Sequence, residues 1–194
     1  MRPKNTAILI FKDAEVLDFA GPFEVFNAAN EASGKQLFNV FLAAEYQEII
    51  EVKNGLRVIP DYTIESSPDP EIIIIPGGEG RKVQMYNENI LNWIKKKYSQ
   101  LELLLSVCTG AFILGKTGLL DNIKATTHHA SYDEFAETFP QTELVRNVKY
   151  VDNGKIITSG GISAGINMSL YVVGQIAGKD IAGKTAELME YDVV

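Results

Sequence analysis

Short continuous apolar runs alternate along this chain with stretches whose apolar residues return every three or four positions. The runs at 7–11, 39–43, 71–75 and 103–107 hold few polar residues. Such runs suit strands buried on both faces, as in a parallel sheet covered by helices. The stretches between them read as helices. In 17–29, Phe23, Phe26 and Ala29 recur at helical spacing, and Pro22 suits a first helical turn, where its missing N–H costs nothing. The pattern at 90–98 turns Trp93 and Ile94 inward, 132–139 ends at Pro140, and two last helices are predicted at 164–177 and 181–190. Asn54-Gly55 and Asp152-Asn153-Gly154, each between short β-like runs, predict two hairpins. Residues 125–127 are short and β-like.

This alternation implies one α/β domain over 1–194, built on a mostly parallel sheet with helices on both faces. Open sheets of this kind place their sites at the carboxyl ends of strands. Three turns rich in glycine or carrying cysteine fall at such ends, after Ile75, Val107 and Thr158. Their convergence is the main architectural expectation.

Charge and composition narrow the partners. A net charge of −7 argues against nucleic acid, which needs a basic face. No run approaches the ~20 apolar residues of a membrane helix, and the N-terminus lacks a signal-peptide pattern. One cysteine excludes an internal disulfide and fits a reducing compartment. The expectation is a soluble cytoplasmic protein that contacts neither membrane nor nucleic acid and acts on a small molecule.

That cysteine, Cys108, sits where the run at 103–107 meets a helix start at Thr109-Gly110. A thiol on such a strand-to-helix corner resembles a nucleophile elbow. The free N–H groups of the following helix favour a thiolate and offer donors to an oxyanion. The competing reading is a small buried hydrophobe. Pro76-Gly77-Gly78 follows a buried strand, and Gly77 and Gly78 let N–H groups approach a ligand, forming an oxyanion hole with the Thr109 N–H. Asp18 reads either as a helix N-cap or as a carboxyl that shuttles a proton to the thiol. Glu24 is a rival carboxylate, read as solvated or structural. His128 and His129, if on a strand, point to opposite faces, so at most one faces the site. Gly160, Gly161 and Ile162 either line the pocket or serve packing. Two histidines and one cysteine lack the spacing of a zinc cluster, so no metal is expected, and no cofactor.

At these residues the chain resembles the ThiJ/PfpI superfamily, related to class I glutamine amidotransferases. Within it, the likeness is to isonitrile hydratases and to the amidotransferase-like domains of AraC-type regulators. Segments 17–26, 75–78, 106–111, 118–121, 124–128, 158–166 and 190–192 carry the resemblance. The resemblance implies a flavodoxin-like fold, a homodimer, Cys108 as nucleophile, and Asp18 and Thr109 in support. The residues themselves make Gly77, Gly78, His128, Gly160, Gly161 and Ile162 the candidates for oxyanion and substrate binding. Thr109 stands where protease relatives carry histidine, which speaks against proteolysis. This branch often has tryptophan in place of His129 and aspartate in place of Asn167. The implied activity is hydration of an isonitrile to an N-substituted formamide. The alternatives are a glyoxalase-type reaction on small α-oxoaldehydes and a non-enzymatic binding or redox-sensing domain.

Overall fold

The computed structural model describes residues 2–192; Met1, Val193 and Val194 of the expected 1–194 domain lie outside the described residues. The chain opens with β1 (Lys4–Leu9), α1 (Val16–Ser33) and β2 (Phe38–Ala44). Next come β3 (Ile50–Glu51), a 3₁₀ turn (Lys53–Gly55), β4 (Arg57–Val58), β5 (Tyr62–Thr63) and β6 (Ile72–Ile75). They are followed by α2 (Arg81–Gln84), α3 (Glu88–Tyr98), β7 (Leu103–Ser106), α4 (Gly110–Lys116) and β8 (Lys124–Ala125). A second 3₁₀ turn (His129–Ser131) leads to α5 (Tyr132–Thr138), β9 (Glu143–Leu144), β10 (Tyr150–Asp152) and β11 (Ile156–Ser159). The described chain closes with α6 (Ala164–Ala177) and α7 (Lys179–Leu188).

Seven strands form the central sheet in the order β10-β11-β7-β6-β1-β2-β5, antiparallel only at the β10–β11 edge. Every residue of β6 and β7 is buried, as the apolar runs Ile72–Ile75 and 103–105 require. The step from β1 to β2 runs toward one edge of the sheet, and the step from β6 to β7 toward the other. Right-handed crossovers therefore put α1 on one face and α3 and α4 on the other. α6 and α7 pack beside α1. The result is a flavodoxin-like fold whose connections part between β1 and β6, the switch point where such sheets bind ligands. Among the described residues, no helix is long and apolar enough to cross a membrane.

Both hairpins form. Ile50 lies opposite Val58, and Asn54 and Gly55 take the positive φ of 63° and 83° that the turn requires. Pro22 departs from its expected place. Ala14 bridges to Gly78 and Glu15 N–H donates to Gly77 O, so α1 starts at Val16 and Pro22 falls inside it. Proline there leaves the Asp18 carbonyl without its usual i+4 donor.

Candidate active site

The turns after β6, β7 and β11 meet as expected. Val107 N–H donates to Ile75 O at 3.0 Å, and Cys108 N–H donates to Gly160 O at 3.0 Å. The Thr127 hydroxyl donates to Cys108 O at 2.9 Å. These bonds hold Cys108 at φ 56°, a left-handed conformation that costs a non-glycine residue roughly 1–3 kcal/mol. This is the strained corner expected of a nucleophile elbow. A Cβ on Gly110 would stand 2.2 Å from Ile75 O, so α4 approaches β6 too closely for any side chain at its first residue.

Asp18 is not an N-cap. The cap position of α1 is Glu15, and Asp18 lies in the first turn, fully buried. Its Oδ2 accepts from Gly77 N–H at 2.9 Å. Its Oδ1 makes no hydrogen bond of good geometry within the described residues. The polar group beside it is the Cys108 thiol, near enough for each to weigh on the other's titration. Burial pushes the Asp18 carboxyl up to about 7, against the lowering pull of the Gly77 N–H. Burial, then the Asp18 charge, pushes the thiol up to about 12, while N–H groups of Thr109 and Ile162 pull it down. The sequence had suggested an accessible thiolate. Instead Cys108 is 6% exposed, and desolvation outweighs the helix N-terminus. Between the two titrations the pair holds one proton.

The expected oxyanion donors are rearranged. Gly77 N–H is engaged by Asp18, and Gly78 N–H donates to Thr109 Oγ1 at 3.0 Å. The N–H groups that face the sulfur belong to Thr109 and Ile162. Gly77 is still indispensable, because a Cβ there would lie 2.5 Å from Thr109 N and 3.0 Å from Asp18 Oδ2. Ile162 holds its N–H in place at φ 54°, a marked outlier for a β-branched residue.

The two histidines do not lie on opposite faces of a strand. His128 caps the 3₁₀ turn and its Nδ1 accepts from Ala130 N–H, and the two ring centroids lie 4.4 Å apart with the planes tilted by 31°. Burial, then His129, lowers the His128 pKa, so the ring is neutral at pH 7. With Nδ1 accepting, Nε2 carries the proton and is a donor. That ring packs on Gly161, where a Cβ would stand 2.0 Å from His128 Cδ2. Gly160 contributes its carbonyl to Cys108 N–H, as above. Glu24 is exposed, in accord with a solvated role. Asn167 is buried, its Oδ1 accepts from the Tyr191 hydroxyl, and it lines a groove of about 740 Å³ between α6, α7 and β10. None of the three turns' thiol-facing residues lines that groove.

Sequence reasoning missed Glu15 and Lys53. The hairpin tip docks on the start of α1 through Lys53 N–H to Ala14 O at 3.0 Å, and its ammonium pairs with the Glu15 carboxylate. Glu15 bears on the titration of Asp18, and both bear on that of His128. Glu15 one helical turn before Asp18 was the available signal; nothing local connects either to Lys53.

A profile of the DJ-1/PfpI family matches residues 4–175. Isonitrile hydratase of Pseudomonas putida is 32% identical over 185 residues, 94% of this chain and 76% of that protein. The HTH-type transcriptional regulator GbdR of Pseudomonas aeruginosa is 24% identical over 98% of this chain, which spans 51% of the regulator's length. Among solved structures, a ThiJ/PfpI family protein from Pseudomonas syringae superposes with a TM-score of 0.88 at 25% identity, covering 99% of this chain and 76% of that one. Drosophila melanogaster DJ-1beta superposes at 0.84 with 18% identity, covering 98% of this chain and 100% of that one, a likeness of fold.

Proposed function

The chain belongs to the DJ-1/PfpI family, which includes enzymes such as isonitrile hydratase, and from that premise we propose that it hydrates an isonitrile to an N-substituted formamide. The observation that carries the reading is the fully buried Asp18 carboxyl beside the Cys108 thiol, with the Thr109 and Ile162 N–H groups facing the sulfur. When the proton resides on Asp18, Cys108 is a thiolate. The sulfur attacks the terminal carbon of R–N≡C, forming the C–S bond, and Asp18 protonates that carbon. The product is a thioimidate, Cys–S–CH=N–R, and Asp18 is left as carboxylate.

The same carboxylate then serves as base. It takes a proton from water as the water oxygen bonds to the thioimidate carbon, and delivers that proton to nitrogen. The tetrahedral adduct collapses with cleavage of C–S. Its hydroxyl proton returns to the Asp18–Cys108 pair, and R–NH–CHO departs. The Thr109 and Ile162 N–H groups stabilise negative charge on sulfur. His128, neutral with its proton on Nε2, donates to the developing polar end of the substrate. The reaction needs no electrons and no co-reactant beyond water. We further infer a homodimer, the state the family resemblance favours, in the cytoplasm, in keeping with a single cysteine.

At 6% exposure the thiol offers an oxidant little access, which counts against the redox-sensing alternative. The test is to incubate purified protein with a simple alkyl isonitrile and follow loss of the N≡C stretch and appearance of formamide. Turnover that vanishes in Cys108→Ala supports the reading. No turnover of isonitriles, with turnover of an α-oxoaldehyde, overturns it in favour of the glyoxalase-type alternative.

A further inference from the structure

Three helices leave the three walls of the candidate site, and one buried guanidinium ties them together. α2 follows the turn at 76–80, α4 follows Cys108 and Thr109, and α5 follows the histidine turn. The Arg81 side chain, on α2, is 5% exposed. Its Cζ lies 3.8 Å from the centroid of the Phe112 ring on α4. Its Nη2 donates to Glu134 Oε2 on α5 at 2.6 Å. Phe112 in turn meets Phe135 of α5 edge-on at 5.1 Å.

Burying an arginine carries a desolvation cost that an apolar side chain of similar volume avoids. A leucine or methionine could hold α2 on α4. Only a planar, forked cation both stacks on a ring of one helix and pairs with a carboxylate of another. The residue also stands directly after the turn that supplies Gly77 and Gly78. Arg81 N–H donates to Gly78 O at 3.2 Å, and Gly80 N–H donates to Asp13 O at 3.2 Å. A shift of α2 would carry that turn with it.

We propose that Arg81 is a positioning residue for the thiol site. Clamped between Phe112 and Glu134, it fixes α2 so that Gly77 N–H stays on Asp18 and Gly78 N–H stays on Thr109. It touches no reacting atom and acts through the turn. The proposal rests on the Asp18–Cys108 pairing and not on the identity of the substrate. Its direction is set by chemistry: the Gly77 N–H holds the Asp18 pKa down. Weakening that bond raises it and moves the pair's lower titration upward.

Cys108 is the sole cysteine, so iodoacetamide reports on this site alone. The rate of its alkylation is measured against pH in wild type, Arg81→Met, Arg81→Lys and Glu134→Gln. The expected result is an upward shift of the lower inflection by about half a pH unit or more in Arg81→Met. Arg81→Lys fails to restore it, because an ammonium neither stacks flat nor forks, and Glu134→Gln shifts it less in the same direction. A lowered melting temperature with an unmoved inflection makes Arg81 a packing residue and overturns the proposal. Should Arg81→Met not fold, Phe112→Leu removes the ring beneath the guanidinium. The same upward shift supports the proposal and an unmoved profile overturns it.

Discussion

Strand β7 and the turn that leaves it are neighbours in sequence and opposites in physics. Leu103–Ser106 run extended and buried, paired in parallel register with Ile72–Ile75. Through Leu105 local preference agrees with the fold: apolar residues in β conformation, with ladder bonds satisfied. Two residues past the strand, Cys108 takes φ 56°, opposite Ile162 at φ 54°, beside a fully buried carboxyl whose Oδ1 makes no hydrogen bond of good geometry within the described residues. Nothing local favours any of these. They persist because bonds from Gly160, Thr127 and Gly77 hold them. The contrast teaches that stability resides in the strands and reactivity in the strain, on largely separate sets of contacts.

Mutations on the two sides should therefore separate stability from thiol chemistry. Ile74→Ala, in the middle of β6 and without exposure, should cost about 2–5 kcal/mol in urea unfolding. It should leave the pH profile of Cys108 alkylation where it is; a moved profile would break the separation. Asp18→Asn should act with opposite sign. Folding raises the Asp18 pKa to about 7. The native state therefore keeps a proton that the unfolded chain loses at about pH 4, and wild-type stability falls as pH rises between those values. Asparagine keeps the Gly77 bond and cannot ionise. Urea unfolding should show it about 2–4 kcal/mol more stable than wild type at pH 8, with the gain gone by about pH 4. Equal stability at both pH values would remove the buried-charge account.

Smaller effects sharpen the line between the two regions. Gly161→Ala drives a methyl into the His128 ring and should cost about 1–3 kcal/mol. If the proposed reaction is right, kcat/KM for an isonitrile should also fall by about tenfold or more. An unchanged kcat/KM would take His128 out of the substrate pocket. Ile162→Gly removes a large apolar side chain yet relieves a left-handed φ. It should change stability by less than about 1 kcal/mol, since strain relief offsets lost burial and added chain entropy. Thermal unfolding checks this; a loss of several kcal/mol would show that Ile162 packs as a core residue does.

The strand side of the molecule was legible because its rules are local. Unbroken Ile and Leu runs announced β6 and β7, and Asn54-Gly55 announced a hairpin that forms. The corner at Cys108 was legible too, through the sequence of strand, cysteine and glycine-led helix. What escaped depends on contacts distant in the chain. The Ala14–Gly78 bridge moves the start of α1, and with it Pro22 enters the helix and Asp18 ceases to be a cap. The 3₁₀ turn brings both imidazoles to one side. Burial by the whole fold, invisible in local spacing, reverses the expected acidity of the thiol. The engagement of Gly77 and Gly78 by Asp18 and Thr109, and of Lys53 by Glu15, likewise required the folded chain. The single-domain expectation and the homodimer stand as expectations.

The central claim is that Asp18 and Cys108 share one proton, and alkylation of Cys108 against pH in wild type and Asp18→Asn tests it most directly. Wild type should show a rise centred at about 7, where the pair drops to one shared proton, and a second toward about 12. In Asp18→Asn the lower rise should vanish and the remaining one should move below the wild-type upper value, because the neighbouring negative charge is gone. Identical profiles in the two proteins, or an upward move in the variant, would contradict a shared proton.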